Sequence, residues 1–212
     1  MRVMIVAGGL EPSCDLLKNT LKKVDTVIGV DKGCNYLVQN NIFPQYIIGD
    51  FDSVNKENIT LLEKRGAKRF EYNPEKDYTD SEIAMEFAIE ELQCSEIVLL
   101  GATGKRIDHF LGNIGILKRA LDKGVRATMV DHYNEIFIIN EGQKIFGEEG
   151  DYISFQAYCE CVENFTIKNA KYGLNNYSLR LGDPLTISNE FLVGPVEVSF
   201  DFGTVLVIKS KD

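Results

Sequence analysis

A chain of 212 residues, 44% of them hydrophobic, suits one large domain or two small ones and can build real cores. Its net charge of −9 argues against the basic footprint that a nucleic-acid or anionic-membrane surface needs. A small anionic ligand is still allowed, because local groups and a metal can dominate one site. The five cysteines are odd in number and form no C-x-x-C pair, so reduced thiols in a cytoplasmic protein are expected.

Met1 to Gly9 is apolar but short, and reads as a first strand with a glycine turn, not as a signal peptide. No run is long enough to span a membrane. Helical spacing follows at Leu16, Leu17 and Leu21, with Ser13 as the cap. Thr26 to Val30 is a second strand, with Asp31-Lys32-Gly33 at its carboxyl end. A short helix through Leu37 and Val38 stops before Pro44. Tyr46-Ile47-Ile48 is a third strand, and it runs into Gly49-Asp50-Phe51-Asp52-Ser53.

That acidic stretch is the feature on which the chain is organised. Carboxyl ends of buried strands are where open α/β sheets bind ligands. Read as a strand, the stretch puts Asp50 and Asp52 on one face about 7 Å apart. Two bare carboxylates at that spacing repel by roughly 2 kcal/mol at an effective dielectric near 20. A divalent cation between them turns the penalty into binding energy, and carboxylates with phosphate oxygens are the usual way to hold Mg²⁺. The plainer reading is a solvated turn with Ser53 capping the next helix.

A helix with Ile59, Leu61 and Leu62 stops at Gly66, and Lys68 to Tyr72 is a fourth strand. Asp77-Tyr78-Thr79-Asp80-Ser81-Glu82 opens the next helix. Thr79 and Glu82 have capping-box spacing, which accounts for both. Asp77, outside the helix, is left over, while Asp80 in the first turn is favoured by the helix dipole anyway; as a pair they could complete a cation site begun by Asp50 and Asp52. Ile97 to Leu100 is a fifth strand. It leads into Gly101-Ala102-Thr103-Gly104-Lys105-Arg106-Ile107-Asp108-His109 and another apolar helical face. Glycines, two cations and a helix N-terminus suit a triphosphate, but the spacing is not that of a Walker A loop. The plainer reading there is a helix capped by Asp108. Ala127 to Val130 is a sixth strand.

From Tyr133 onward the helical patterns stop. Short strands are expected at 136–139, 144–146, 152–155, 165–167, 185–187, 196–200 and 205–208, separated by glycine turns. The expected architecture is an α/β unit over residues 1–132, with a mostly parallel sheet flanked by helices. A C-terminal antiparallel β-sandwich over residues 133–212 follows.

Read together, Gly49-Asp50-Phe51-Asp52-Ser53, Asp77-x-Thr79-Asp80, Gly101-x-x-Gly104-x-Arg106-x-Asp108-His109 and Thr186-Ile187-Ser188-Asn189-Glu190-Phe191 occur in the order of thiamine pyrophosphokinases. The chain resembles that family along nearly its whole length. The resemblance implies transfer of diphosphate from ATP to thiamine, with Mg²⁺, in a homodimer whose active sites lie at the subunit interface. It implies Asp50, Asp52, Asp77 and Asp80 as metal ligands and Asp52 or Asp80 as the proton acceptor. It implies Asp31, Gly33, Gly101, Thr103, Gly104, Arg106, Asp108 and His109 on the ATP side. Ser188 and Asn189 are implied on the thiamine side, with Tyr172 or Tyr177 as a stacking surface in a chain that has no tryptophan. Other readings of the same residues are a diphosphokinase for another hydroxymethyl compound such as a pterin, a metal-dependent phosphohydrolase, and a nucleotide-binding module.

Overall fold

The computed structural model describes residues 1–71, 78–104 and 106–212. The chain divides into two units, Met1–His132 and Tyr133–Asp212. In the first, strands and helices alternate: β1 (Arg2–Val6), α1 (Cys14–Leu21), β2 (Thr26–Val30), α2 (Gly33–Gln39), β3 (Tyr46–Gly49), α3 (Lys56–Lys64), β4 (Lys68–Glu71), α4 (Asp80–Glu90), β5 (Glu96–Leu100), α5 (Ile107–Asp122) and β6 (Arg126–Val130). The strands lie in the order β6-β5-β1-β2-β3-β4, and every pairing among them is parallel.

The continuous apolar runs of β1 to β3 follow from burial on both faces. Met4 and Val6 pack into one cluster with Leu17, Tyr36 and Leu37 of the first two helices. Ile47, Phe51 and Leu62 form a second cluster under α3. α4 packs across β1, β2 and β3, and α5 packs on β6 and α4. Each such fully buried apolar side chain contributes about 1.5–3 kcal/mol, so these layers and not surface ion pairs hold the sheet.

The chain moves outward from β1 through β2 and β3 to β4, then returns to place β5 on the other side of β1. The connections leaving β1 and β5 therefore diverge, making the crevice where doubly wound sheets hold ligands. Asp31, Asp50 and Asp80 follow β2, β3 and β4 in turn.

The second unit holds β7 (Asn134–Ile139), β8 (Gln143–Ile145), β9 (Tyr152–Ala157), β10 (Cys161–Lys168), β11 (Leu174–Arg180), β12 (Asn189–Glu190), β13 (Val196–Ser199) and β14 (Val205–Ser210). Within this unit β12-β9-β14-β7 pair antiparallel, and β11-β10-β13-β8 form a second antiparallel sheet. Phe155 of β9 and Phe165 of β10 meet between the sheets with ring centroids 5.4 Å apart. Among the described residues no helix is long and apolar enough to cross a membrane.

Four local expectations are corrected. The segment 185–187 is not a strand: Asp183 Oδ1 accepts the Leu185 N–H and Pro184 O accepts the Ile187 N–H, which closes a turn. β11, with its polar Leu-Asn-Asn-Tyr-Ser-Leu-Arg sequence, takes a strand position that its asparagines concealed. Asn55, not Ser53, caps α3, its Oδ1 accepting the Glu57 N–H at 3.2 Å. α5 starts at Ile107 after Arg106, so Asp108 lies inside the first turn and is not the cap.

Candidate active site

The acidic stretch after β3 is a tight turn and does not continue the strand. Phe51 has φ +60°, and the Asp52 N–H turns back to Asp50 Oδ1 at 3.0 Å. The alternation expected of Asp50 and Asp52 is broken because Phe51 is drawn into the apolar cluster under α3. Asp50 is left half-buried and Asp52 exposed.

Asp31 is the centre of this region. It has φ +44°, a conformation that Asp and Asn tolerate better than most residues. Its Oδ1 accepts the Phe51 N–H at 3.4 Å. Its side chain also hydrogen-bonds Asp80, the first residue of α4. Gly49 makes room: with φ +151°, it leaves open the place that a Cβ would take from Asp31 Oδ1. Burial pushes the Asp31 carboxyl up to about 7, and the charges of Asp80 and Asp50 push the same way against the Phe51 N–H. Asp31 thus joins the acidic set as a member, where the sequence suggested only an ATP contact.

A raised carboxyl pKa destabilises the fold wherever the group is forced to ionise. The contribution is whole below the ordinary value of 3.8 and is lost as pH rises through about 7. Asp31→Asn, which suits the same backbone conformation, is expected to flatten that loss. Without divalent cations it should be more stable than the parent at pH 8.5 by on the order of 1–2 kcal/mol, after discounting for partial exposure, and equal to it only at about pH 3, below the ordinary carboxyl value. Urea midpoints at the two pH values check this.

Asp80 is fixed by its helix. Thr79 Oγ1 accepts the Glu82 N–H and Glu82 Oε2 accepts the Thr79 N–H, at 3.3 and 3.2 Å. Arg119 of α5 pairs in turn with Glu82. Thr79→Ala is expected to cost about 1 kcal/mol in chemical denaturation, the usual loss of a cap.

The acidic set is all hard oxygen donors, which suits Mg²⁺. Among the described residues no group of three or more acidic, His or Cys side chains is arranged to cage a metal, and Asp77 lies outside the described residues. Mg²⁺ needs no such cage, since it keeps waters and takes one or two carboxylates plus substrate phosphates. Burial is the main reason the Asp31 carboxyl is raised; the added repulsion from Asp80 and Asp50 is the part a cation would relieve.

The loops after β1 and β5 are zipped together. The Ala7 N–H reaches Leu100 O at 2.8 Å, the Gly9 N–H reaches Gly101 O at 2.7 Å, and the Leu10 N–H reaches Thr103 O. Gly101 and Gly104 lie in this loop, and Thr103 Oγ1 is buried with no hydrogen-bond partner among the described residues. A buried, unpaired hydroxyl costs about 1–3 kcal/mol, so a ligand oxygen there would be favoured. Arg106 grips Asp108 through two nitrogens at 3.2 and 2.6 Å. That hydrogen bond holds the exposed Asp108 carboxyl down at about 2. His109 is exposed in the first turn of α5. Lys105 lies outside the described residues.

Gly33 serves packing. It is buried at the start of α2, where a Cβ would overlap the Val6 carbonyl oxygen. In the second unit Asn189 is buried, and its amide donates to Tyr172 O at 2.7 Å and accepts the Tyr172 N–H at 2.9 Å. Tyr172 is exposed, as is Ser188, whose N–H donates to Ser154 Oγ at 3.0 Å. Tyr177 donates its hydroxyl to Asp183 at 2.6 Å.

Residues 17–129 match the family model described as thiamin pyrophosphokinase, catalytic domain, and residues 136–205 match thiamin pyrophosphokinase, vitamin B1 binding domain. The chain belongs to the thiamine pyrophosphokinase family. These enzymes are ATP-dependent diphosphotransferases. A thiamine pyrophosphokinase from Bacillus subtilis is 34% identical over 212 residues, 99% of each chain. The crystal structure of thiamine pyrophosphokinase from Bacillus subtilis has a TM-score of 0.89 at 32% identity, with 100% of both chains covered. That of a thiamin pyrophosphokinase family protein from Enterococcus faecalis has 0.88 at 30%, again covering 100% of both.

The thiamine pyrophosphokinase catalytic match takes in Asp31, Asp50, Asp52, Asp80 and the loop after β5, and the second match takes in Tyr172, Ser188 and Asn189. Two supporting residues were not singled out in the sequence. Tyr36 donates its hydroxyl to Gly9 O at 3.0 Å, holding the loop after β1. Asn113, buried on α5, donates to Ala102 O at 2.7 Å, holding the loop after β5. A polar asparagine between apolar helical positions was the available signal for the second; Tyr36 had none apart from core tyrosines generally.

Proposed function

We propose that the chain transfers diphosphate from ATP to the hydroxyl of thiamine in a Mg²⁺-dependent reaction that yields thiamine diphosphate and AMP. The observation that carries this reading is the carboxylate set Asp31, Asp50, Asp52 and Asp80 on the connections that follow successive parallel strands, in a chain of the thiamine pyrophosphokinase family. Transfer of this kind needs little covalent help and depends on positioning and charge.

Attack falls on the β-phosphorus, because AMP is the leaving group. Gly101, Thr103, Gly104 and Arg106 hold the polyphosphate; Asp108 orders that loop through the Arg106 fork, and His109 follows it in the first turn of α5. Asp50, Asp52 and Asp80, with Asp77, hold Mg²⁺, which when bound offsets negative charge on the transferred group and on AMP. Asp52 or Asp80 accepts the proton of the thiamine hydroxyl. Asp31 keeps Asp50 and Asp80 in one neighbourhood through its contacts with the Phe51 N–H and Asp80.

Thiamine is bound by the second unit. Ser188 and Tyr172 present the contacts and the stacking surface, and Asn189 sets both by holding the Tyr172 backbone. A homodimer as the working form and a cytoplasmic setting belong to the same proposal; the latter is supported by five free cysteines. The test follows AMP formation from ATP with thiamine and Mg²⁺ each present or omitted. AMP is expected only when both are present. AMP or ADP formed equally without thiamine would overturn the proposal.

A further inference from the structure

Three hydrogen bonds join α2 to the segment that carries the acidic pair. Asn35 Nδ2 donates to Ser53 O at 3.4 Å. Asn35 Oδ1 accepts the Asn55 N–H at 3.2 Å and an Asn58 Nδ2–H at 2.9 Å. Asn35 lies four residues beyond Asp31, in the first turn of α2. The contacts at Ser53 and Asn55 lie on the backbone between Asp52 and the first turn of α3.

We infer that Asn35 is a positioning residue that sets the Asp50-Asp52 turn against Asp31. The inference rests on the proposed role of that turn in holding Mg²⁺. On the near side, the turn is anchored by β3 and by Phe51, whose ring is buried and whose N–H reaches Asp31. On the far side, Asn55 is committed to capping α3 through its side chain, so its backbone N–H depends on Asn35. Loss of Asn35 removes the partner of that N–H and of the Ser53 carbonyl together. The turn is then pinned at one end only. A cation site made of short carboxylates is sensitive to such slack, because outer partners of metal ligands typically govern affinity by 10- to 100-fold.

The Asn58 contact supplies the control. It ties Asn35 to the body of α3 without touching the backbone of the turn. Asn58→Ala therefore removes a hydrogen bond of similar strength while leaving both turn contacts in place.

The test is a MgCl₂ titration of the melting temperature of the full chain at constant ionic strength with a non-hydrolysable ATP analogue present, so that substrate phosphates are available to the cation, with kcat and KM for thiamine measured alongside. Asn35→Ala is expected to lower the metal-free Tm by a few degrees. It should raise the half-saturating Mg²⁺ concentration about tenfold and lower kcat at fixed Mg²⁺, with KM for thiamine unchanged. Asn58→Ala should lower the Tm similarly and leave the Mg²⁺ half-saturation at the parent value. If the alanine variant does not fold, Asn35→Gln keeps the amide but displaces it by one methylene, and should show the same rise in half-saturation. A full parental Mg²⁺ response in the Asn35 variants, or an equal loss in Asn58→Ala, overturns the inference alone. A parent whose Tm ignores Mg²⁺ overturns the proposed cation role and the inference with it.

Discussion

Asp52→Asn is expected to lower kcat for diphosphate transfer by at least about a hundredfold while leaving the fold intact. The two halves of this expectation have separate physical grounds. Asp52 is exposed, and its hydrogen bond within the turn is made by its backbone N–H to Asp50, which asparagine keeps. Removing one negative charge from a crowded acidic region also relieves repulsion. Urea midpoints should therefore be unchanged or slightly higher. In catalysis the same charge is proposed to bind Mg²⁺ and to stand ready for the thiamine proton, and asparagine does neither. Loss of one preorganised charge-stabilising group typically costs about 10²–10³ in rate. Steady-state rates at saturating ATP, thiamine and Mg²⁺, with denaturation curves on the same preparations, check both halves. Full activity would remove Asp52 from the site.

Gly33→Ala has the largest expected effect on stability. Gly33 opens α2 and is buried, with its Cα directed at the end of β1. An added methyl would overlap the Val6 carbonyl oxygen, lie 2.6 Å from the Val6 carbonyl carbon and 3.0 Å from the Ala7 carbonyl oxygen. All three are backbone atoms at and just past the end of a central strand, so no side-chain rotation relieves the contact. α2 would have to lift off the sheet, taking with it Asp31, Asn35 and the Tyr36 contact to Gly9. Overpacking of this kind costs typically 1–3 kcal/mol, and here, against rigid backbone, about 3 kcal/mol or more is expected. The loss should appear in urea or thermal denaturation without any nucleotide present. A residue serving only to contact ATP would show normal stability and a raised KM for ATP.

Much of this architecture was legible because local and tertiary signals agree in the first unit. Thr26 to Val30 is apolar on both faces, and it forms β2 over those residues. Ser13 and Thr79 precede apolar helical faces, and each accepts the N–H three residues on. The acidic residues were legible as a set because they follow strands, which is where a parallel sheet exposes its ligand edge. The misreadings arise where tertiary burial overrides local pattern. Phe51 is drawn into the core under α3, which bends Asp50-Phe51-Asp52 into a turn that period-two spacing could not foresee. Asn176, at φ +47° in β11, accompanies a register shift between Phe165 and Ile167 of the paired strand, so that strand lacks clean alternation. Leu185 and Ile187 alternate like a strand but belong to a turn closed by Asp183 and Pro184. The role of Asn189 was also hidden. Its amide is engaged with the Tyr172 backbone, a contact between residues 17 apart that local pattern does not show.

The central claim is that two phosphates leave ATP together and arrive on thiamine. Quantifying all products of one reaction by mass, with ATP, thiamine and Mg²⁺, tests it most directly. AMP and thiamine diphosphate are expected in equal amounts, with neither ADP nor thiamine monophosphate accumulating and no turnover after Mg²⁺ is chelated. ADP as the nucleotide product, or phosphate released at the same rate whether or not thiamine is present, would contradict the account.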